Sequence, residues 1–341
     1  MKKQVLSIIL TVSIVISAHV SMVFAENVTS NNEFNASNCN AILEKAGFNA
    51  TVISDMDNDK KNKISESIVN NPSSVQVNST VLNVDNLAIF EYYTNTQDTD
   101  LLKNGVSSDD IKKVRANLDQ LNSLSPEQFK EKYSVSTADY KMIKKSLTKN
   151  PNYKLKKSNN LVTTSGTISS STLYYNMSVT NKSTSTAPYY SLYMGYSWYS
   201  TYFTDLFTDY LAVAWGGGLN AKNVEAKASY YYGNYFTSWG SFENTYNWSQ
   251  QQTPQVGIVF STPQMRGDVF SERQNRCGYV SMDLYQTKFQ GYDTNVVSQF
   301  CHSVLTVNGG SVSVGYKTGY ATINVGTGFD TTPQISRTVR Y

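Results

Sequence analysis

Histidine, cysteine and charge are all scarce in this 341-residue chain, and each scarcity closes off some chemistry. There are two histidines, His19 and His302, and His19 falls in an N-terminal stretch that reads as a removable leader. With His302 left alone, a zinc site built on two or three imidazoles is excluded, and the scattered Cys39, Cys277 and Cys301 cannot form a thiolate cluster in its place. A Ser-His-Asp or Cys-His arrangement would have to use His302. It follows Cys301 in a strand-like run, where neighbouring side chains point to opposite faces, so those two are not a nucleophile and its base. A structural His302 is expected. No apolar run beyond the N-terminus is long enough to span a bilayer, and the excess of basic over acidic residues is small. A nucleic-acid partner would need a basic face over many phosphates, so none is expected.

The leader is built from Met1, Lys2 and Lys3 as a positive start, an apolar stretch over residues 5–18, and the small-residue site Val23-Phe24-Ala25. Its apolar run is shorter than the roughly 20 residues of a membrane span. Cleavage before Glu26 is therefore expected, which makes the protein secreted and extracellular. Losing Lys2 and Lys3 from the 29 basic residues leaves 27 against 26 acidic ones.

Composition changes partway along the chain. Of the 135 residues from 26 to 160, 34 are charged, against 19 of the 181 that follow. Aromatics run the other way, with all four tryptophans and most tyrosines in the second half. A linker is expected near residues 150–165, giving a signal peptide over 1–25, a charged α+β region over 26–157 that is a candidate propeptide or regulatory domain, and an aromatic-rich β domain over 158–341. In the first region, residues 75–82 and 87–93 read as a short hairpin. A small helical bundle follows, with a cap at Ser107 or Ser108 and a helix started by Ser125-Pro126. In the second, short alternating strands separated by Gly, Asn and Ser predict an antiparallel β-sandwich, with a barrel as the alternative. Asn308-Gly309 is its strongest hairpin signal.

Export would expose Cys277 and Cys301 to oxidising conditions, and a disulfide between them is expected. Asp55, Asp57, Asp59 and Glu66 fall at positions one, three, five and twelve of a stretch that resembles the ligand spacing of an EF-hand calcium loop. Lys60 stands where such a loop turns on glycine. These four are the candidate metal ligands, and calcium the only candidate cofactor. The β region carries Asp205, Asp209, Glu225, Glu243, Asp268, Glu272, Asp283, Asp293 and Asp330, too many to pick the two carboxylates of a glycosidase. No catalytic residue is assigned.

Tyrosine and tryptophan are the distinctive feature. Rings between Tyr189 and Tyr202 outnumber what one face of a strand pair can bury, so Tyr193, Tyr196 and Trp198, with Trp215 and Trp239, are the candidate surface contacts. Rings with polar tips stack on sugars or sit at a membrane interface. The reading that follows is a non-enzymatic extracellular binding protein for carbohydrate, cell envelope or a membrane surface. The alternatives are a membrane-active toxin or bacteriocin-like factor with an N-terminal pro-segment, and a carbohydrate-active hydrolase. N-terminal sequencing of protein recovered from culture medium should return Glu26 as the first residue; a start near Ser158 would instead identify residues 26–157 as a removed propeptide.

Overall fold

The computed structural model describes residues 36–341, apart from 104–105, 107, 129–136, 152–169, 200–207, 217, 233–243, 248, 251–255, 264, 267–272, 304–311, 318–319 and 327–328. The expected linker and the Asn308-Gly309 turn lie largely or wholly outside the described residues.

Three helices come first: α1 (Ala36–Lys45), α2 (Ala50–Asp55) and α3 (Asn58–Asn70). Their ends are dictated locally. Gly47, at φ +104°, closes α1 with its own N–H on the Glu44 carbonyl and the Phe48 N–H on that of Leu43, a pattern that puts the residue after the helix in the left-handed region. The Asn49 side chain accepts from the Thr51 N–H at 2.8 Å to start α2, and Asp57 accepts from the N–H groups of Asp59 and Lys60 to start α3.

Strand β1 (Val75–Asp85) follows, then α4 (Asn86–Asn95), α5 (Asp98–Lys103), α6 (Ser108–Ser123) and α7 (Thr137–Ser146). Between α6 and α7, Ser125 caps a helical turn as expected: its Oγ accepts from the Gln128 N–H, while the Gln128 side chain accepts from the Ser125 N–H. Residues 87–93 do not form the expected second strand of a hairpin; they lie within α4. An apolar run this short does not distinguish strand from helix by its own pattern. Burial on two sides decides it, because Ile89 and Tyr93 pack into the main core while Phe90 packs with Leu121, Ile143 and Leu147.

From residue 170 onward the chain is β-structure: β2 (Ser170–Asn181), β3 (Tyr189–Trp198), β4 (Thr208–Trp215), β5 (Asn220–Tyr232), β6 (Asn244–Asn247), β7 (Ser249–Gln250), β8 (Gly257–Pro263), β9 (Met265–Arg266), β10 (Arg273–Tyr285), β11 (Asp293–Ser303), β12 (Val312–Lys317), β13 (Tyr320–Val325), β14 (Phe329–Thr331) and β15 (Ile335–Arg340). Sheet A runs β1-β2-β3-β10-β5-β6, with β9 on β10. Sheet B runs β14-β11-β4-β8-β7, with β15 on β11, and β12-β13 form a separate hairpin. Every described pairing is antiparallel, and among the described residues neither sheet closes into a barrel. The fold is an α+β N-terminal region followed by an all-β, sandwich-like part, and Asn35–Tyr341 is one compact unit.

Alternation builds the core. Tyr175, Met194, Trp198 and Met282 of sheet A meet Leu211, Trp215 and Phe300 of sheet B in a single cluster. The outer face of sheet A is buried too, with Tyr193 and Tyr279 against Leu43, Phe48 and Ile53 of the helical layer. On the outer face of sheet B, Ala212, Ala214, Val297 and Cys301 lie under Val312, Ala321 and Ile323 of the β12-β13 hairpin. Strand β1, from the charged region, completes sheet A in register from Val75 opposite Thr180 to Asp85 opposite Ser170. At that corner Arg337 of β15 donates to the Val77 carbonyl at 3.0 Å and to the Asn78 side chain.

The expected Cys277–Cys301 disulfide is not formed; all three cysteines are buried thiols. The geometry explains why. Cys277 shares the helix-covered outer face of sheet A with Tyr279, and Cys301 shares the hairpin-covered outer face of sheet B with Val297, so the whole sandwich core separates their sulfurs. Cys39 on α1 reaches Asn62 instead, at 3.3 Å. Alkylation of unfolded, unreduced protein should add three adducts by mass spectrometry, whereas one adduct would demonstrate a disulfide.

Candidate functional site

The rings expected at the surface are in fact buried. Tyr193, Tyr196, Trp198 and Trp215 are each at most 5% exposed, and Trp239 lies outside the described residues. The expectation failed because it allowed sheet A only one covered face. Tyr196 points inward and donates to Asn275 Oδ1 at 2.7 Å; Tyr193 points outward yet stacks on Tyr279, with centroids 5.7 Å apart, beneath Phe48. Trp215 Nε1 donates to the Leu219 carbonyl at 2.9 Å, closing the glycine-containing turn from sheet B to sheet A. Gly216 is required there, since an added Cβ would overlap the Thr294 side chain.

Asp55, Asp57, Asp59 and Glu66 do not converge. The chain is helical from Asn58, so most of the expected loop is α3 itself. Asp59 and Glu66 are seven residues apart on that helix, about 10 Å of rise, which is too far to share one cation. Asp57 serves as the helix cap, and Asp59 pairs with Lys63 at 2.7 Å in solvent. Among the described residues no three His, Cys, Asp or Glu side chains are grouped to hold a metal ion.

Asp55 has a different role: it sits between α2 and sheet A, accepting from the Ser197 hydroxyl. Burial raises its pKa, against the lowering effects of Ser197, Arg276 and Lys61. Nearby Glu225 shows the opposite balance. Partial burial would raise its pKa, but donors on Lys227, Lys60 and Tyr279, at 2.6 to 2.8 Å, outweigh burial and hold it down at about 2.

His302 and Asp209 are both fully buried, with Nδ1 and Oδ1 2.9 Å apart, and the Ser303 N–H donates to the same carboxylate oxygen at 3.3 Å. The Trp198 ring lies edge-on to the imidazole at 4.9 Å. The hydroxyl of Ser303, the next residue along, donates to the Thr208 carbonyl, so it is not held as a nucleophile against the imidazole. The arrangement fastens β4 to β11 inside the sandwich. Of the remaining candidate carboxylates, Asp283 accepts from Tyr189, Ser191 and Asn223; Asp293 and Asp330 stand opposite Arg340 and His302; and Asp205, Glu243, Asp268 and Glu272 lie outside the described residues.

Of the rings between Tyr189 and Tyr202, Tyr199 is 63% exposed, edge-on to Tyr174 at 6.3 Å; a second exposed group lies at the end of the sandwich where β11 begins and β15 finishes. Tyr292 is 65% exposed and Tyr316 42%, with Tyr341 half-buried between them; Tyr320, 62% exposed, stands opposite Lys317 on the other face of its hairpin. Tyr292 and Tyr341 exchange both backbone hydrogen bonds, at 3.2 and 2.8 Å, which projects their rings on one side with centroids 6.2 Å apart. Tyr316 meets the Tyr341 hydroxyl, whose pKa is raised by partial burial and by Tyr316 and Tyr292. The hairpin that carries Tyr316 and Tyr320 is held there by Asn295, whose side-chain amide donates to the Ala321 carbonyl at 3.1 Å and accepts from its N–H at 2.7 Å. Gly218, at φ +102°, leaves room beside the Tyr341 ring, which a Cβ added there would meet at 3.3 Å. Tyrosine density along the sequence misses this group. The signal available was position, since Tyr292 follows Gly291 at φ +84° and Tyr341 follows the last strand.

No family model matches the chain, and no curated protein matches it. Among solved structures it is similar to the delta-toxin of Clostridium perfringens, at 10% identity and a TM-score of 0.19 over 51% of this chain and 85% of that one. It is also similar to AvmM, which catalyses macrocyclisation in alchivemycin A biosynthesis, at 9% identity and a TM-score of 0.17 over 46% and 80%. At such scores neither overlap defines a shared fold.

The raised pKa of Asp55 has a signed consequence. A carboxyl that binds its proton more tightly when folded favours the folded state at low pH, and that contribution is lost as pH rises through the folded pKa. Asn in its place keeps an acceptor for Ser197 without the charge. The urea midpoint of Asp55→Asn should therefore gain on wild type as pH rises from 4 to 7; parallel curves would mean that Asp55 is fully compensated by Arg276 and Lys61.

Proposed function

We propose that this is a secreted, non-enzymatic protein that binds polysaccharide of a cell envelope through the tyrosine-rich end of its β-sandwich. The observation that carries the reading is the group Tyr292, Tyr316 and Tyr341, gathered from three separate strand ends. A tyrosine offers a sugar a flat apolar face for its C–H surface and a hydroxyl for its rim. Scattered exposed rings need no explanation, whereas rings placed side by side on fixed strand ends form a pre-organised contact surface. The surrounding charge is balanced, since Asp293 and Arg340 stand opposite each other across the same strand pair.

The same rings support a second reading, docking at a lipid headgroup layer, where tyrosine is also enriched. Affinity electrophoresis in soluble polysaccharides, run beside a vesicle-leakage assay, separates the two. Retardation by polysaccharide without leakage is expected. Tyr292→Ala combined with Tyr316→Ala should weaken that binding about tenfold, or ~1.4 kcal/mol, with an unchanged circular dichroism spectrum. Leakage without polysaccharide binding would replace this reading with the membrane-active one.

A further inference from the structure

Strand β5 breaks its own alternation at one point, and the break places a lysine. Glu225 and Lys227 lie on the outer face of sheet A against Tyr279, while Ala226 and Ala228 pack into the core between the sheets. Strict alternation would carry odd-numbered residues outward throughout and turn Lys222 into the core. Instead the pairing with β10 shifts between Asp283 opposite Lys222 and Ser281 opposite Glu225, so that two residues, Asn223 and Val224, face one. This is a β-bulge, and Asn223 takes φ +52°, in the left-handed region that costs a side chain energy. The phase flips: Ala221 packs on the core and Lys222 stands outside.

The outward Lys222 ammonium is held between two rings, 4.7 Å from the centroid of Tyr189 and 4.5 Å from that of Tyr285. Asp283, opposite it in register, is occupied by neutral donors: Tyr189 Oη at 2.7 Å, Ser191 Oγ at 2.6 Å and Asn223 Nδ2 at 2.7 Å. Among the described residues Lys222 makes no ion pair with any carboxylate. Lys182 adds a second positive charge beside Asp283. An exposed cation with two aromatic walls is thus positioned by a strained bulge. It lies at the same end of the sandwich as the tyrosine group, since Gln286, next to Tyr285, reaches Gly218 beside the Tyr341 ring.

We propose that Lys222, Tyr189 and Tyr285 form a subsite for the acidic group of a charged polysaccharide, the ammonium pairing with the anion while the two rings flank the sugar that bears it. This rests on the polysaccharide reading above and narrows it to acidic polymers. The anion can be a carboxylate or a phosphodiester.

Binding of the full-length protein to polygalacturonate, to poly(glycerol phosphate) and to neutral hydroxyethyl cellulose tests this, with Lys222→Met and Lys222→Arg alongside wild type. Wild type should prefer at least one acidic polymer over the neutral one, and the two acidic arms report whether carboxylate or phosphodiester is taken. Lys222→Met should lose about fivefold to tenfold on the preferred acidic polymer, roughly the 1–1.4 kcal/mol of one exposed charged contact, with neutral binding unchanged; Lys222→Arg should retain most of it. Equal binding of Lys222→Met and wild type to the acidic polymers, or no acidic preference, overturns the subsite and leaves the wider reading standing. Failure to bind any of the three polymers overturns both.

Discussion

Sheet A carries large aromatic side chains on both of its faces, and neither face can be left in water. Each buried ring contributes on the order of 1.5–3 kcal/mol relative to exposure, so two separate covers are needed. Sheet B supplies the inner one, over Tyr175, Tyr196 and Trp198, and α1–α3 the outer one, over Tyr193 and Tyr279. The charged first part of the chain is therefore part of the structure of the aromatic second part. Strand β1 ties the two together through the sheet's own hydrogen bonds.

Covering a sheet with helices brings polar groups along, and the way they are satisfied fixes where the cover sits. Ser197 on Asp55, Lys60 on Glu225 and the Asn49 N–H on Asn176 each join the helical layer to a particular strand position. Buried or half-buried charged contacts of this kind add little net stability against an apolar packing of equal volume, but losing one partner is costly. Their effect is to make one register of helices on sheet better than its neighbours. The His302–Asp209 contact does the same inside the sandwich, where it joins adjacent strands.

Much of the architecture was legible in the sequence because alternation reports directly on strands with one or two buried faces. Capping signals were legible for the same reason: Ser125 and Gln128 are local chemistry. Long-range facts were not. Residues 87–93 read as a strand because so short an apolar run does not reveal its two-sided burial, and spacing alone could not say that Asp57 caps a helix rather than lining a loop. Nor could the cysteines reveal that they lie on opposite outer faces. Density of tyrosine pointed to buried rings such as Tyr193 and Tyr196 and to one exposed ring, Tyr199, but not to the exposed Tyr292 and Tyr316, which mark strand ends far apart in sequence. The bulge that turns Lys222 outward left no mark in the sequence at all, because it is defined only by the partner strand.

The pairing of β1 with β2 also sets an order of events. All four helices α4–α7 lie between these strands in the chain, so β1 emerges from synthesis long before the strand it must pair with. Contacts between segments so distant in sequence form slowly, and an unpaired strand edge is exposed in the meantime. The intervening helices bury their own apolar side chains, Phe90 with Leu121 and Ile143, without waiting for any strand. They can form a small local core first and hold β1 beside the place where β2 will arrive, so this stretch of chain would act as a folding template for the sheet as well as its cover.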